Sequence, residues 1–274
     1  MEQSHFIENR IDDDPYGNSI SSLTLGNLIH KQASECPDHL AVIDYMHHRR
    51  LTYQELDELS DALAKGLIHL GLAPGDHVAV IINNCWEHVV TKLAISKAGG
   101  VLVNVNIHEK ADMLRKLLEN TECSMIIVKQ GIKNRDHMDM LYELCPEIKI
   151  QRPGGLHTQF LPKLRHIIVT NSTKPVECAW KLEAVLEEGK ELSDRLLEER
   201  SKSIDMDQVA SIIHTSGSSG TPKGVPLTHR QMMLNALEHV HYMKMTSEDR
   251  LCITAPLFHS LGCIGSMLTT LVAG

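Results

Sequence analysis

From residue 25 onward the chain switches repeatedly between two hydrophobic periods. Apolar residues at helical spacing predict a helix over 25–34, and a short apolar run predicts a strand over 40–44. His47-His-Arg-Arg50 reads as a turn with no metal role. Thr52-Tyr-Gln-Glu55 has the spacing of a capping box. Behind it Leu56, Leu59, Leu63, Leu67 and Leu70 recur at helical intervals until Gly71, a natural stop. Strands over 78–82, 101–105 and 124–128 then alternate with helices over 86–97 and 110–120, and a helix around 138–144 precedes a strand over 166–169. The strands are continuous runs of Val and Ile joined by helices. That pattern predicts an α/β fold, layered, with a mostly parallel sheet covered on both faces.

The character changes over 171–208, where Glu alternates with Lys and Arg on a helical pattern and a solvated surface excursion is expected. An apolar strand over 209–214 follows. A short return strand over 224–228 leads into a second capping box, Thr228-His-Arg-Gln231, and a helix to about 243. Residues 251–274 carry no formal charge, which is long enough for a membrane span. Pro256, His259 and Ser260 interrupt the run, so it reads instead as a buried strand followed by a helix. Residues 1–20 read as a tail.

Composition narrows the function classes. A net charge of −8 argues against nucleic-acid binding, which needs a basic face, but not against a nucleotide held by local positive potential. The seven cysteines are scattered without a CxxC, which points to reduced thiols in a cytoplasmic chain rather than a disulfide framework or zinc site. The polar, acidic start is unlike a targeting segment. The 17 histidines show neither HExxH nor zinc spacing, so no metal ligand is assigned. His259 is singled out because it directly follows the strand expected near 251–257.

The strand over 209–214 runs into Thr215-Ser-Gly-Ser-Ser-Gly-Thr-Pro-Lys-Gly224. Glycine lets backbone N–H groups turn inward, hydroxyls add donors, and an ammonium offsets charge, so the loop is suited to a polyphosphate. Walker spacing fails, because Pro222 and Gly224 flank Lys223. The dinucleotide fingerprint fails because Gly217, Gly220 and Gly224 are three and four apart, and the nucleophile elbow fails at Thr221. A flexible Gly/Ser linker is the competing reading; Pro222 stiffens the chain against it.

These residues resemble the adenylate-forming (AMP-binding) superfamily of acyl-CoA synthetases, peptide-synthetase adenylation domains and luciferases. Thr215 to Gly224 matches that family's signature loop in full, and Pro256, Leu257, Phe258, His259 and Gly262 match a second element. Leu51-Thr-Tyr-Gln-Glu55, Gly75-Asp-His-Val78 and Lys97-Ala-Gly-Gly-Val101 add support, and the resemblance runs over about 21–274. Ala98-Gly-Gly-Val-Leu-Val-Asn-Val-Asn106 looks like the fatty or medium-chain acyl-CoA synthetase form. Ile107-His-Glu109 departs from that form, and His214 stands where an aromatic residue is common.

The resemblance implies ATP-dependent activation of a carboxylic acid, expected to be fatty, to acyl-adenylate, then transfer to CoA, with Mg2+ accompanying ATP. It implies that Thr215, Ser216, Gly217, Ser218, Ser219, Gly220, Thr221, Pro222 and Lys223 hold the phosphates. It places the catalytic candidate His259 near the acyl pocket and the forming acyl phosphate. Lys223 is not the adenylation lysine, which in this family sits in a mobile C-terminal domain. By the same resemblance the chain is an incomplete N-terminal domain of the acyl-CoA synthetase fold with little turnover alone, and the apolar helix over 261–274 is left uncovered. A non-catalytic binding module and a ligase loading a carrier protein are the alternatives.

Overall fold

A computed structural model describes residues 20–132, 135–172, 176–215 and 223–274. Helix α1 (Leu25–Glu35) leads into a hairpin of β1 (Leu40–Asp44) and β2 (Arg49–Thr52). Arg49 and Arg50, expected in the turn, belong to β2; the turn is shorter and leaves His48 with a positive φ of 51°. Helix α2 (Tyr53–His69) starts at Thr52, where both bonds of the capping box form, and ends before Gly71 at φ 91°.

Next come β3 (His77–Ile81), α3 (Trp86–Lys97), β4 (Val101–Asn104), α4 (Ala111–Thr121), β5 (Met125–Lys129) and α5 (His137–Leu144). They are followed by β6 (His166–Thr170), β7 (Trp180–Lys181), α6 (Leu182–Glu191), α7 (Asp194–Ser201), β8 (Val209–Thr215), β9 (Lys223–Thr228) and α8 (His229–Met243). The main sheet has seven strands in the order β7-β6-β5-β3-β4-β8-β9, parallel except for the antiparallel β8–β9 pair.

Strand alternation divides the core in two. Val78 and Val80 of β3 face the cluster that holds α1, α2, α3, α6 and α8, whereas Ala79 and Ile81 face the cluster under α4 and α5. Both faces of the parallel strands are therefore apolar, as the unbroken Val and Ile runs require. Connections from β3 lead toward β4 and β8, and those from β5 lead toward β6 and β7. The carboxyl ends of β3 and β5 thus flank a topological switch point, where open α/β sheets form crevices.

Three expectations fail. The 171–208 stretch is not wholly a surface excursion. Trp180 and Lys181 join the sheet, and Leu182, Val185 and Leu186 of α6 are buried against α2. That crossing is close because Gly189 and Gly66 carry no side chain; a Cβ on Gly189 would run into the Ala62 carbonyl. Among the described helices only α7 has no buried residue, as its charge pattern predicts.

Residues 251–257 form no strand, and Leu251 and Cys252 are exposed. Apolar composition alone does not supply a neighbouring edge to pair with.

The final helix is also not left uncovered. A first turn (Ser260–Gly262), a π-helical stretch (Cys263–Leu268) and α9 (Thr269–Ala273) follow one another without a gap. Cys263, Ile264, Met267, Leu268, Leu271 and Val272 are buried, and α1 and α8 pack on this unit. Gln32 Nε2 of α1 donates to the Leu271 carbonyl at 3.0 Å. Two hydroxyls accompany the wide winding. Ser266 Oγ and Thr269 Oγ1 each donate to a carbonyl five residues back, Leu261 and Ile264, at 2.9 Å. No helix among the described residues is long and apolar enough to cross a membrane.

Candidate AMP-binding site

The glycine-rich segment is the connection of the β8–β9 hairpin. Its ladder runs from Val209–Thr228 up to Thr215–Lys223, the last cross-strand pair. Thr215 and Lys223 therefore face each other across the mouth. Ser216, Gly217, Ser218, Ser219, Gly220, Thr221 and Pro222 lie outside the described residues. Strand β9 is the sheet edge, which is why Pro226 is tolerated opposite Ile212: a missing N–H costs least where no further strand follows. Gly224 sits close to the neighbouring strand: a Cβ there would meet Ile212 Cγ2 at 3.0 Å, so that side chain would have to shift by a few tenths of an ångström.

His214, one residue before Thr215, donates from Nδ1 to the Asn104 carbonyl at 3.2 Å, and burial lowers its pKa. Asn104 closes β4 and donates from Nδ2 to Ser211 Oγ at 2.7 Å and to the Ile212 carbonyl at 3.2 Å. The hairpin stem is thereby tied to the parallel sheet by side-chain bonds as well as by its ladder.

His259 is exposed and caps the final helix. Its Nδ1 accepts from the Leu261 N–H at 3.3 Å, so in the neutral ring the proton sits on Nε2, free to donate outward. The spacing of the Pro-Leu-Phe-His-x-x-Gly element has a geometric reason. His259 N–H donates to the Pro256 carbonyl at 3.0 Å, and Gly262 crosses so close to that carbonyl that a Cβ would collide with it. Phe258 packs on the same core cluster as Ile212 of β8.

Between α8 and the start of the final helix lies a groove of about 560 Å³. Leu227, Met232, Leu261 and Ile264 give it apolar walls, and Gln231, Asn235, His239 and Ser260 add polar groups. Lys223 begins the strand that reaches this groove at Leu227, and His259 immediately precedes Ser260 on the other wall. The groove thus meets the base of the hairpin strand and the residue after His259, while Thr215, Lys223 and His259 themselves are not among its lining residues. Asn84, Lys92 and Asn104 were not selected from sequence. The available signal was a lysine in the middle of an apolar helix.

A second charged cluster lies at the carboxyl ends of β5 and β6. Asp44, His47 and Glu87 have potential ligand atoms within 4.8 Å of one another. His47 Nδ1 donates to Asp44 Oδ2 at 2.7 Å, and the Trp86 N–H donates to the same oxygen at 3.0 Å. Burial alone would raise the Asp44 carboxyl, but these donors hold it below its ordinary value. The Lys129 ammonium already stands among these groups, 3.1 Å from Glu87 Oε1 and 3.4 Å from His47 Nε2. Because lysine supplies the positive charge, this donor set does not suit Mg2+, a hard cation that prefers oxygen ligands.

The parallel sheet, the antiparallel hairpin with its Ser/Gly/Lys connection and the adjacent groove together define an AMP-binding enzyme domain. The sequence profile of AMP-binding enzymes matches residues 29–274, and the chain belongs to that family. Its homologues are acyl-CoA synthetases. YngI of Bacillus subtilis (strain 168), which bears the name of an acyl-CoA synthetase, is 35% identical over 92% of this chain and 46% of its own length. The mitochondrial medium-chain acyl-CoA ligase ACSF2 of Macaca fascicularis is 29% identical over 94% of this chain and 42% of its own. The solved structure of Mycobacterium smegmatis MbtA shares the fold, with a TM-score of 0.76 at 24% identity, over 97% of this chain and 45% of that one. The chain thus spans less than half the length of these relatives.

Proposed function

We propose that residues 21–274 form the ATP- and acid-binding part of an AMP-forming acyl-CoA ligase acting on a fatty acid. The observation that carries this reading is the Thr215–Lys223 pair that closes the mouth of the β8–β9 hairpin, with a half-apolar groove at the base of the same strand. The Lys223 ammonium and the hydroxyl and amide donors of 215–222 neutralise and orient the phosphates, which form both the attacked centre and the leaving group. The acid's carboxylate lies at the groove end nearest His259; as its oxygen bonds the α-phosphorus and the bond to the departing pyrophosphate breaks, the His259 Nε2–H donates to an α-phosphoryl oxygen, where charge builds. The apolar walls of the groove take the alkyl chain and exclude water. Mg2+ enters with ATP and lowers charge on the phosphates; the described residues offer it no suitable ligand set. CoA is the proposed acceptor, and the seven free thiols fit a reducing compartment such as the cytoplasm.

The test is equilibrium binding of ATP and of octanoyl-sulfamoyl-adenosine, a stable stand-in for an acyl-adenylate. Wild type is expected to bind both, and Lys223→Ala to weaken ATP binding at least about tenfold, or about 1.4 kcal/mol. Failure of wild type to bind either compound refutes the reading.

A further inference from the structure

His259 is carried by a segment that has no strand to lean on. Two side chains from α3 and its entry loop do that work instead. The Asn84 amide acts as a two-sided fork. Its Oδ1 accepts from the Leu257 N–H at 2.8 Å, and its Nδ2 donates to the carbonyls of Ala255 at 2.8 Å and Ile253 at 3.4 Å. Those are the bonds a neighbouring β-strand would have made. Lys92, only 4% exposed, donates from Nζ to the Leu257 carbonyl at 2.8 Å, to Asn104 Oδ1 at 3.1 Å and to Cys263 Sγ at 2.8 Å.

The partners of Lys92 are informative. Among the described residues they comprise a carbonyl, an amide and a sulfur, with no carboxylate. A buried ammonium without a carboxylate partner is a costly way to fill space, and an apolar residue would fill it more cheaply. What the ammonium adds is direction. It joins Leu257, two residues before His259, to Asn104, which in turn holds Ser211 and Ile212 of strand β8. One side chain therefore bridges the two halves of the candidate site.

We infer that Asn84 and Lys92 are positioning residues that set His259 relative to the β8–β9 hairpin, so that the acid and the nucleotide meet in register. The role in catalysis rests on the function proposed above; the positioning of His259 does not. Neither side chain lines the groove. Each acts through the backbone of 253–257.

The experiment compares wild type with Asn84→Asp, Lys92→Met, His259→Ala and the double variant Asn84→Asp/His259→Ala. Asn84→Asp keeps the shape and the acceptor for Leu257 but loses the donor for Ala255. Three readouts apply: hydrogen exchange over 253–259, the His259 ring signal in a histidine-labelled NMR spectrum, and affinity for octanoyl-sulfamoyl-adenosine. Expected for Asn84→Asp is exchange at least about tenfold faster over that segment and a displaced His259 signal, with the buried His229 signal, whose ring bonds Leu25, unmoved. Lys92→Met is expected to displace the same signal. Analogue affinity should fall about tenfold in the wild-type background and not at all in the His259→Ala background, because the effect passes through that ring.

Equal losses in both backgrounds would show that Asn84 does not act through His259 and would overturn the inference. So would an unchanged ring signal and exchange in Asn84→Asp, whatever the ligand does. If wild type ignores the analogue while Asn84→Asp still displaces the ring signal, the functional reading falls and the positioning of His259 stands. Should Lys92→Met fail to fold, Asn84→Asp and its double variant decide the matter.

Discussion

Acid should weaken the docking of α1 on α8 through one ring. His229 is 1% exposed, and its Nδ1 accepts from the Leu25 N–H, an otherwise unsatisfied donor at the start of α1, at 3.3 Å. Burial holds the His229 pKa down to about 4, against 6.5 for a free ring. The folded state therefore prefers the neutral ring. Above pH 6.5 neither state binds the proton and stability is unaffected. Between 6.5 and about 4 the unfolded chain binds a proton that the folded chain does not, so stability falls as pH falls. Below about 4 both are protonated and the loss levels off. At about 1.4 kcal/mol for each pH unit, that window caps the loss at about 3 kcal/mol. The assay is urea unfolding from pH 7.5 to 4.5 for wild type and His229→Gln, which keeps an acceptor and does not titrate. Other groups, among them His88, which burial holds down to about 3, titrate alike in both proteins and cancel in the comparison. Wild type is expected to lose about 2–3 kcal/mol more than the variant by pH 4.5, with no difference in slope above pH 7. Parallel profiles throughout would refute the assignment.

Gly189→Ala should lower stability by about 1–3 kcal/mol despite its better helix propensity, because α2 and α6 must part to admit a methyl group; a higher urea midpoint would count against the close crossing. Leu268→Ala should cost about 2–5 kcal/mol, since Leu268 is fully buried in the core cluster and its π-helical stretch packs on α8. A cost near zero would mean that the final helix is uncovered after all. Iodoacetamide at pH 8 should modify exposed Cys252 in the folded protein. Cys85 and Cys123, whose thiols burial pushes up to about 12, should react only after unfolding. Peptide mapping that finds Cys123 labelled in the native state would contradict the packing.

Much of the candidate site could be proposed from sequence because the chemistry it invokes is local. The hydroxyls, glycines and Lys223 of 215–224 are consecutive, and the hairpin that carries them needs only strand, turn and strand. Both capping boxes formed for the same reason: each bond spans three residues. The strands of the parallel sheet were readable because burial on both faces erases alternation and leaves unbroken Val and Ile runs. By contrast, 251–257 has strand-like composition and forms no strand, because pairing depends on a partner edge that no local pattern encodes. The apolar side of α6 was masked by its glutamates, which occupy the opposite face.

The sequence by itself determined the α/β class, the position of most elements to within a residue or two, the AMP-binding resemblance and the identity of the candidate loop and of His259. These depend on period, turn chemistry and contiguous residues. Only the tertiary structure decided that α6 is core, that the final helix is covered by α1 and α8, and that Asn84, Lys92 and Asn104 link His259 to the hairpin. Those contacts join residues far apart along the chain, as between Lys92 and Leu257 or Asn104 and Ser211. Their partners are fixed by how layers stack, and a side chain's neighbours across a layer leave no mark on its neighbours in sequence.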